Sequence, residues 1–182
     1  ADCDPSFKGS TKNDYKAIKV WGKGGTELHL LFAFVRQCSV AEMVRWFYDL
    51  HERLPEGVIC KYMIEANFLQ DTLLDDFEAE GNLRGSHLPI QADKRKKPDK
   101  FQRIEGISPL WERGFVFYNE DLQNDPDMLT GIEQTHSIEK GSSTLDDGPD
   151  ADEGALYVLQ KHSRVQKFKP SIGIRRSPKN SW

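Results

Sequence analysis

The order of strand-like and helix-like segments constrains the fold of this chain more than any other feature. Apolar residues alternate over 15–20 and form a continuous run over 28–35, and a glycine-rich turn lies between the two segments. This pattern is typical of two strands joined in a hairpin. Ser39 and Glu42 then form a capping box, which predicts the start of a helix. With a short strand at the beginning of the chain, three strands are expected before the first helix.

Strands and helices alternate through the rest of the chain. We predict strands over 58–65, 88–91 and 115–118 with helices between them, and we expect Gly81 to end the second helix. Pro149 suits the first turn of the last helix. An antiparallel meander followed by alternating strands and helices predicts an α/β protein. We expect a mixed sheet, in which three antiparallel strands are followed by parallel strands, with helices on both faces.

Length and composition suit one globular domain with an unusual charge distribution. Of 182 residues, 37% are apolar and 30% are charged, and no apolar run approaches the roughly 18 residues of a membrane-spanning helix. The net charge is −4, but residues 161–182 carry seven lysines and arginines and no acid, which leaves residues 1–160 with a net charge of −11. The basic segment is either a solvated terminus or a contact for a polyanion, and composition leaves both open.

The motifs of several enzyme classes are missing from the sequence. It contains no Gly-x-Ser-x-Gly nucleophile elbow, no His-Glu-x-x-His zinc motif and no phosphate-binding P-loop. The three cysteines lie far apart, which argues against a disulfide framework or a structural zinc site. The remaining candidates for chemistry are carboxylates at predicted strand ends and at the start of the last helix.

Asp4 and Glu65 lie at the ends of predicted strands, and Asp146, Asp147 and Asp150 cluster where the last helix begins. Functional groups gather at strand ends in open α/β sheets, and acids that converge there need a cation between them. Carboxylate oxygens suit Mg²⁺ or Mn²⁺, and two such ions about 4 Å apart can hydrolyse a phosphodiester. The alternative is structural, with a turn residue at Asp4 and helix-capping or helix-dipole roles for the later aspartates.

Several segments, taken in order, resemble a known family. They are Asp-Pro-Ser at 4–6, Asp-Tyr-Lys-Ala-Ile at 14–18, Ile-Glu-Ala-Asn at 64–67, the helix and strand with Lys-x-x-Arg-Ile over 100–118, and Asp-Asp-Gly-Pro-Asp-Ala at 146–151. Over about residues 2–160, this ordered set is similar to the nuclease domain of the large terminase subunit of tailed bacteriophages.

The resemblance implies an RNase H-like, RuvC-like fold over 1–160, followed by a basic C-terminal tail over 161–182. It implies an endonuclease that uses two Mg²⁺ or Mn²⁺ ions to cut concatemeric viral DNA during genome packaging. By position, Asp4 and Glu65 match the first two metal ligands. Asp147 and Asp150 match the final acidic pair, and either of them can be the direct ligand.

The same resemblance implies a setting and partners. We expect the chain to be the nuclease part of a longer motor–nuclease protein that acts in the cytoplasm of an infected bacterial host. Double-stranded DNA would be its substrate. The terminase ATPase domain, the small terminase subunit and the portal would be its protein partners, and no membrane is involved.

A basic segment precedes and enters the helix that follows the predicted strand over 88–91. Its six cations within ten positions are Lys94, Arg95, Lys96, Lys97, Lys100 and Arg103. We interpret them as DNA phosphate contacts beside the cleft, and the alternative is a solvated loop and helix face. Two other functions stay open, namely a RuvC-like resolvase or transposase-type nuclease, and a catalytically silent RNase H-like module that docks DNA or a partner.

Overall fold

The computed structural model describes residues 2–5, 15–65, 71–141 and 145–162, with the backbone alone described for 2–5, 71, 72 and 162. The strands are β1 (Asp2–Pro5), β2 (Lys16–Gly24), β3 (Glu27–Arg36), β4 (Tyr62–Glu65), β5 (Ile90–Asp93) and β6 (Val116–Tyr118). The helices are α1 (Val40–Arg53), α2 (Asp71–Arg84), α3 (Lys100–Glu105), α4 (Ser108–Glu112), α5 (Pro126–His136) and α6 (Asp147–His162), with a short 3₁₀ helix at Glu120–Leu122. Within these ranges, no helix is both long and apolar enough to cross a membrane.

The strands form one mixed sheet in the order β5-β4-β1-β2-β3-β6. β1, β2 and β3 pair antiparallel as a meander, whereas β4 joins β1, β5 joins β4 and β6 joins β3 in parallel. The predicted α/β architecture with a mixed sheet is therefore confirmed. This order places the ends of β1, β4 and β5 side by side, because all three strands run in the same direction.

Helices cover both faces of the sheet, and the side chains of β2 show how. Ile18 and Val20 belong to an apolar core with residues of α1 and α2, while Ala17 and Trp21 belong to a second core with residues of α5 and α6. The two sets alternate because successive strand residues point to opposite faces. Lys19 lies on the second face and is fully buried there.

Some of the predicted element boundaries are wrong, including those of β4 and α2. The strand predicted over 58–65 begins only at Tyr62, and Ile59 is 90% exposed. Gly81 lies inside α2, which continues to Arg84. A Cβ atom at Gly81 would lie 2.7 Å from the hydroxyl oxygen of Tyr48, which is buried, so close packing rather than helix termination favours glycine at this position.

Candidate functional site

Three acidic residues lie at the same level on the three adjacent parallel strands. Glu65 ends β4 and is paired in register with Asp93, which ends β5. Cys3 of β1 is paired with Ile64 of β4, so the next residue, Asp4, lies at the level of Glu65. The side chain of Asp4 is outside the described part of the structure. The backbone register therefore brings two predicted acids and one unpredicted acid to one edge of the sheet.

Helix α6 brings further acids towards this edge. It packs across β1 and β2, and its first turn carries Asp147 and Asp150. The start of α6 is held by Gln134 of α5, whose Oε1 accepts a 2.9 Å hydrogen bond from the backbone N–H of Gly148. Glu153 follows Asp150 by three residues, so both side chains lie on one face of the helix.

The basic segment between β5 and α3 contacts the acids at the strand ends. Nζ of Lys97 lies 3.4 Å from Oε1 of Glu65 and 3.8 Å from Oδ2 of Asp93. The guanidinium of Arg95 lies 2.8 Å from Oδ2 of Asp93 and 3.0 Å from Oε1 of Glu153. Arg95 therefore connects the end of β5 to helix α6.

The first residues of α3 continue these contacts along α6. Nη1 of Arg103 lies 2.5 Å from Oε2 of Glu153 and 2.7 Å from Oδ1 of Asp150. Nζ of Lys100 lies 3.6 Å from Oδ2 of Asp150 and 2.9 Å from Oδ1 of Asp146. Acids and bases thus alternate without a break from β4 to the start of α6. We call this set the charge network, and its members are Glu65, Lys97, Asp93, Arg95, Glu153, Arg103, Asp150, Lys100 and Asp146.

The charge network shifts the pKa values of three of its members, which are Asp150, Arg95 and Arg103. Burial by itself would raise the pKa of Asp150, but the charges of Lys100, Arg103 and Lys97 outweigh it and hold that pKa below its ordinary value. Burial would lower the pKa of Arg95 and of Arg103, but their carboxylate partners raise both above the ordinary value. These groups are therefore ionised together, because each charge stabilises its neighbours.

Comparison with known proteins identifies the fold but not a family. No protein-family model matches the sequence, and no curated protein matches it. Among solved structures, the human cytomegalovirus terminase nuclease domain matches 86% of this chain and 81% of its own, with a TM-score of 0.59 and 16% sequence identity. The chain has the fold of a viral terminase nuclease domain. At this identity the similarity establishes the fold alone.

The four predicted acids lie on three different elements of this fold. Glu65 and Asp150 both belong to the charge network, although on different elements. Asp147 is the first residue of α6, and Asp4 is placed only by its register in β1. Whether these four residues act in catalysis or bind metal stays a prediction.

The six predicted DNA-binding cations divide into two groups. Lys94 and Lys96 are exposed to solvent. The other four point inwards to the carboxylates of the charge network, and they are Arg95, Lys97, Lys100 and Arg103. In this arrangement the inward cations already have anionic partners, so a DNA phosphate would have to compete with carboxylates for them.

Sequence reasoning missed two acids of the network. The strand predicted over 88–91 is displaced by two residues in the structure, and Asp93 is therefore its last residue rather than part of a loop. Glu153 lies one helical turn after Asp150, and that spacing was a usable signal because residues three apart share a helix face. Both acids are more than nine-tenths buried.

The terminase nuclease resemblance implies divalent metal ions, and the acids at the strand ends and on α6 are the candidate ligands. Their donors are carboxylate oxygens, which suit Mg²⁺ or Mn²⁺. Oδ1 of Asp150 is buried and receives no aligned hydrogen bond, although Nη1 of Arg103 is near it. Among the described side chains, however, no three of His, Cys, Asp and Glu lie close enough to hold an ion. The donors thus fit in their chemistry, and Lys97 is the cation that occupies the space beside Glu65 and Asp93.

Proposed function

We propose that this chain is a metal-dependent DNA endonuclease domain, similar to that of a phage terminase large subunit, which cuts concatemeric viral DNA during packaging. One observation carries the proposal: Asp4 and Glu65 are level on adjacent parallel strands, and Asp150 is linked to the same edge through the charge network, in a chain with the fold of a viral terminase nuclease domain. The RNase H-like mechanism that the resemblance implies needs acids at these elements.

In this proposal, Asp4, Glu65 and one of Asp147 and Asp150 hold two Mg²⁺ or Mn²⁺ ions. When bound, such ions activate water and stabilise the leaving oxygen of a phosphodiester. The other residues of the site orient these ligands. Arg103 and Lys100 hold the carboxylate of Asp150, and their charges keep it ionised at neutral pH. A carboxylate that is already ionised and oriented can receive a cation without first losing a proton.

The proposed partners follow from the same function. Double-stranded DNA is the substrate, and phosphate contacts would position it without reading its sequence. The ATPase domain of a terminase, the small terminase subunit and the portal would supply translocation, DNA selection and the capsid entrance in an infected bacterial cell. Lys94 and Lys96, which are exposed to solvent, are the predicted DNA-binding residues that are most available to a phosphate.

A second function is favoured by one specific observation. Three of the six predicted DNA-binding cations contact acids that would bind metal, because Lys97 contacts Glu65 and both Lys100 and Arg103 contact Asp150. This is the arrangement expected of a silent module that docks DNA or a partner. A RuvC-like resolvase or transposase-type nuclease would use the same acids on a different DNA structure. The three candidates therefore differ in whether the chain cuts DNA and in which DNA it cuts.

The deciding experiment compares cleavage of plasmid, linear duplex and a four-way junction in Mn²⁺ or Mg²⁺. The variants are Asp4→Ala, Glu65→Ala and Asp150→Ala, and Asp75→Ala, an exposed acid of α2, is the matched control. We expect the wild type and Asp75→Ala to cut plasmid and linear duplex, and the three site variants to lose at least about a hundredfold in rate. Circular dichroism confirms that each variant is folded. Preferential cutting of the junction would favour the resolvase, and no cutting by wild type would favour the silent module.

A further inference from the structure

A basic groove lies between helix α6 and the edge of the sheet formed by β4 and β5. It encloses about 390 Å³, and its polar walls are formed by Lys61, Gln91, Lys94, Arg95, Tyr157 and Lys161. Lys94 and Lys161 are exposed, and Lys61 is half-buried. We call this feature the α6–β5 groove. Only Lys94 and Arg95 among these residues belong to the basic segment that the sequence singled out.

The charge of the groove is strongly positive. Four of its lining residues are cations, and Asp93 is the one acid among the described lining residues. Asp93 is itself neutralised by Arg95, whose guanidinium lies 2.8 Å from it. The lysines therefore dominate the potential within the groove, and a concave surface with one sign of charge concentrates ions of the opposite sign.

Tyr157 of α6 organises the cations on one wall. The guanidinium carbon of Arg95 lies 4.1 Å from the centre of its ring, and Nζ of Lys161 lies 5.9 Å from it. Such cation–π contacts hold the two positive groups at the groove instead of letting them extend into solvent. The ring is 41% exposed, so it forms part of the surface that a ligand would touch.

The α6–β5 groove is continuous with the proposed cleavage site. Asp93 lines the groove and is also paired in register with Glu65. Gln91 precedes Asp93 by two residues on the same face of β5, which is a distance of about 7 Å along the strand. Each strand of a DNA duplex carries one phosphate per about 3.4 Å of helix axis, so this length corresponds to about two phosphates.

We propose that the α6–β5 groove binds the phosphate backbone of duplex DNA next to the cleavage site, through Lys61, Lys94 and Lys161. This inference rests on the proposed nuclease function. The lysines bind as point charges, so the contact is independent of base sequence and weakens with salt. Tyr157 and Arg95 shape the wall and do not read bases.

The test measures binding of a fluorescently labelled duplex to the full chain by anisotropy, in EDTA and over a range of salt concentrations. The groove variant is Lys61→Gln/Lys94→Gln/Lys161→Gln. The control is Arg45→Gln/Arg53→Gln/Arg113→Gln, which makes the same change in net charge at three exposed positions on α1 and after α4. Each lost phosphate contact reduces the slope of log K against log salt by about one. We therefore expect the slope to fall by about two to three in the groove variant and by less than about one in the control.

The outcomes separate this inference from the proposed function. Equal salt slopes for the groove variant and the control would overturn the assignment of the groove as a DNA-binding site, even if the wild type cuts DNA. A reduced slope for the groove variant, with no cutting by wild type in Mn²⁺ or Mg²⁺, would support the groove and overturn the nuclease. An acidic peptide of equal charge that binds as tightly as DNA, with the same dependence on the three lysines, would overturn DNA as the ligand.

Discussion

The ammonium nitrogen of Lys97 lies 3.4 Å from Oε1 of Glu65, the acid that ends strand β4. The same nitrogen lies 3.8 Å from Oδ2 of Asp93 on the neighbouring strand. One lysine therefore lies between two acids that would otherwise repel each other. A divalent cation at these oxygens would have to displace this ammonium, so Lys97 would compete with such an ion.

Replacing Lys97 by methionine should make metal binding tighter. The variant keeps most of the side-chain volume but removes the competing charge, so we expect about tenfold tighter Mn²⁺ binding, or ~1.4 kcal/mol. Calorimetric titration with Mn²⁺ measures the affinity directly. Lys96→Met, at an exposed neighbouring position, is the control and should bind Mn²⁺ as wild type does. Equal affinities for all three proteins would show that Lys97 does not compete with the ion.

Replacing Asp150 by asparagine should change the response of the metal-free protein to acid. The pKa of Asp150 in the folded protein lies below its ordinary value of 3.8, so its carboxylate stabilises the fold at pH values above about 4. This contribution is lost as pH falls through the lowered pKa. Asp150→Asn should be less stable than the wild type at neutral pH by roughly 3 kcal/mol, because Lys100 and Arg103 lose a buried partner. As the pH falls below about 4, the unfolding free energy of the variant should decrease less than that of the wild type.

Urea unfolding in EDTA at a series of pH values measures this difference. Asp75→Asn, at an exposed position of α2, is the matched control and should follow the wild-type curve. Parallel curves for Asp150→Asn and wild type across the acid range would contradict a lowered pKa for Asp150.

The buried pair of Lys19 and Asp152 should be strongly coupled. Nζ of Lys19 lies 3.5 Å from Asp152, and the same carboxylate accepts hydrogen bonds from Trp21 and Thr135. Lys19→Met leaves a buried carboxylate without its counter-charge, so we expect it to cost roughly 3 kcal/mol of unfolding free energy. Lys19→Met/Asp152→Asn should cost clearly less than the sum of the two single changes. A double-mutant cycle by urea unfolding gives the coupling energy. If the free-energy changes of the two single variants simply add up in the double variant, the pair is not coupled.

Replacing Gly81 by alanine should destabilise the protein although alanine favours helices. The new Cβ atom would lie 2.4 Å from Nδ1 of His87 and 2.7 Å from the hydroxyl oxygen of Tyr48. We expect a loss of about 2 kcal/mol, because such overpacking outweighs the gain in helix propensity. Thermal unfolding measures the change. Asn82→Ala, exposed in the same helix, should be neutral or slightly stabilising, and an equal effect at both positions would refute the steric explanation.

Short-range signals in the sequence determined the kinds of element and their order. Ser39 begins α1 because its side chain accepts a hydrogen bond from the N–H of Glu42 at 3.1 Å, and both groups lie within four consecutive residues. The alternation of apolar residues over 15–20 likewise predicted a strand, and β2 runs over Lys16–Gly24. Such features depend on neighbours along the chain, and the antiparallel meander followed from their order. Of the predicted basic tail over 161–182, the first two residues end α6 and residues 163–182 lie outside the described residues, so the role of the tail stays a prediction.

Only the tertiary structure decided which charges meet. Asp93 became a site residue because β5 pairs with β4 in a register that places it beside Glu65. Arg95 and Arg103 were predicted to face DNA, but the packing of α6 brings Glu153 to within 3.0 Å and 2.5 Å of them. Residues that are 50 or more positions apart make these contacts. Composition and spacing could show that the cations exist, whereas the direction of each side chain depended on which acids the folded sheet and helix placed within reach.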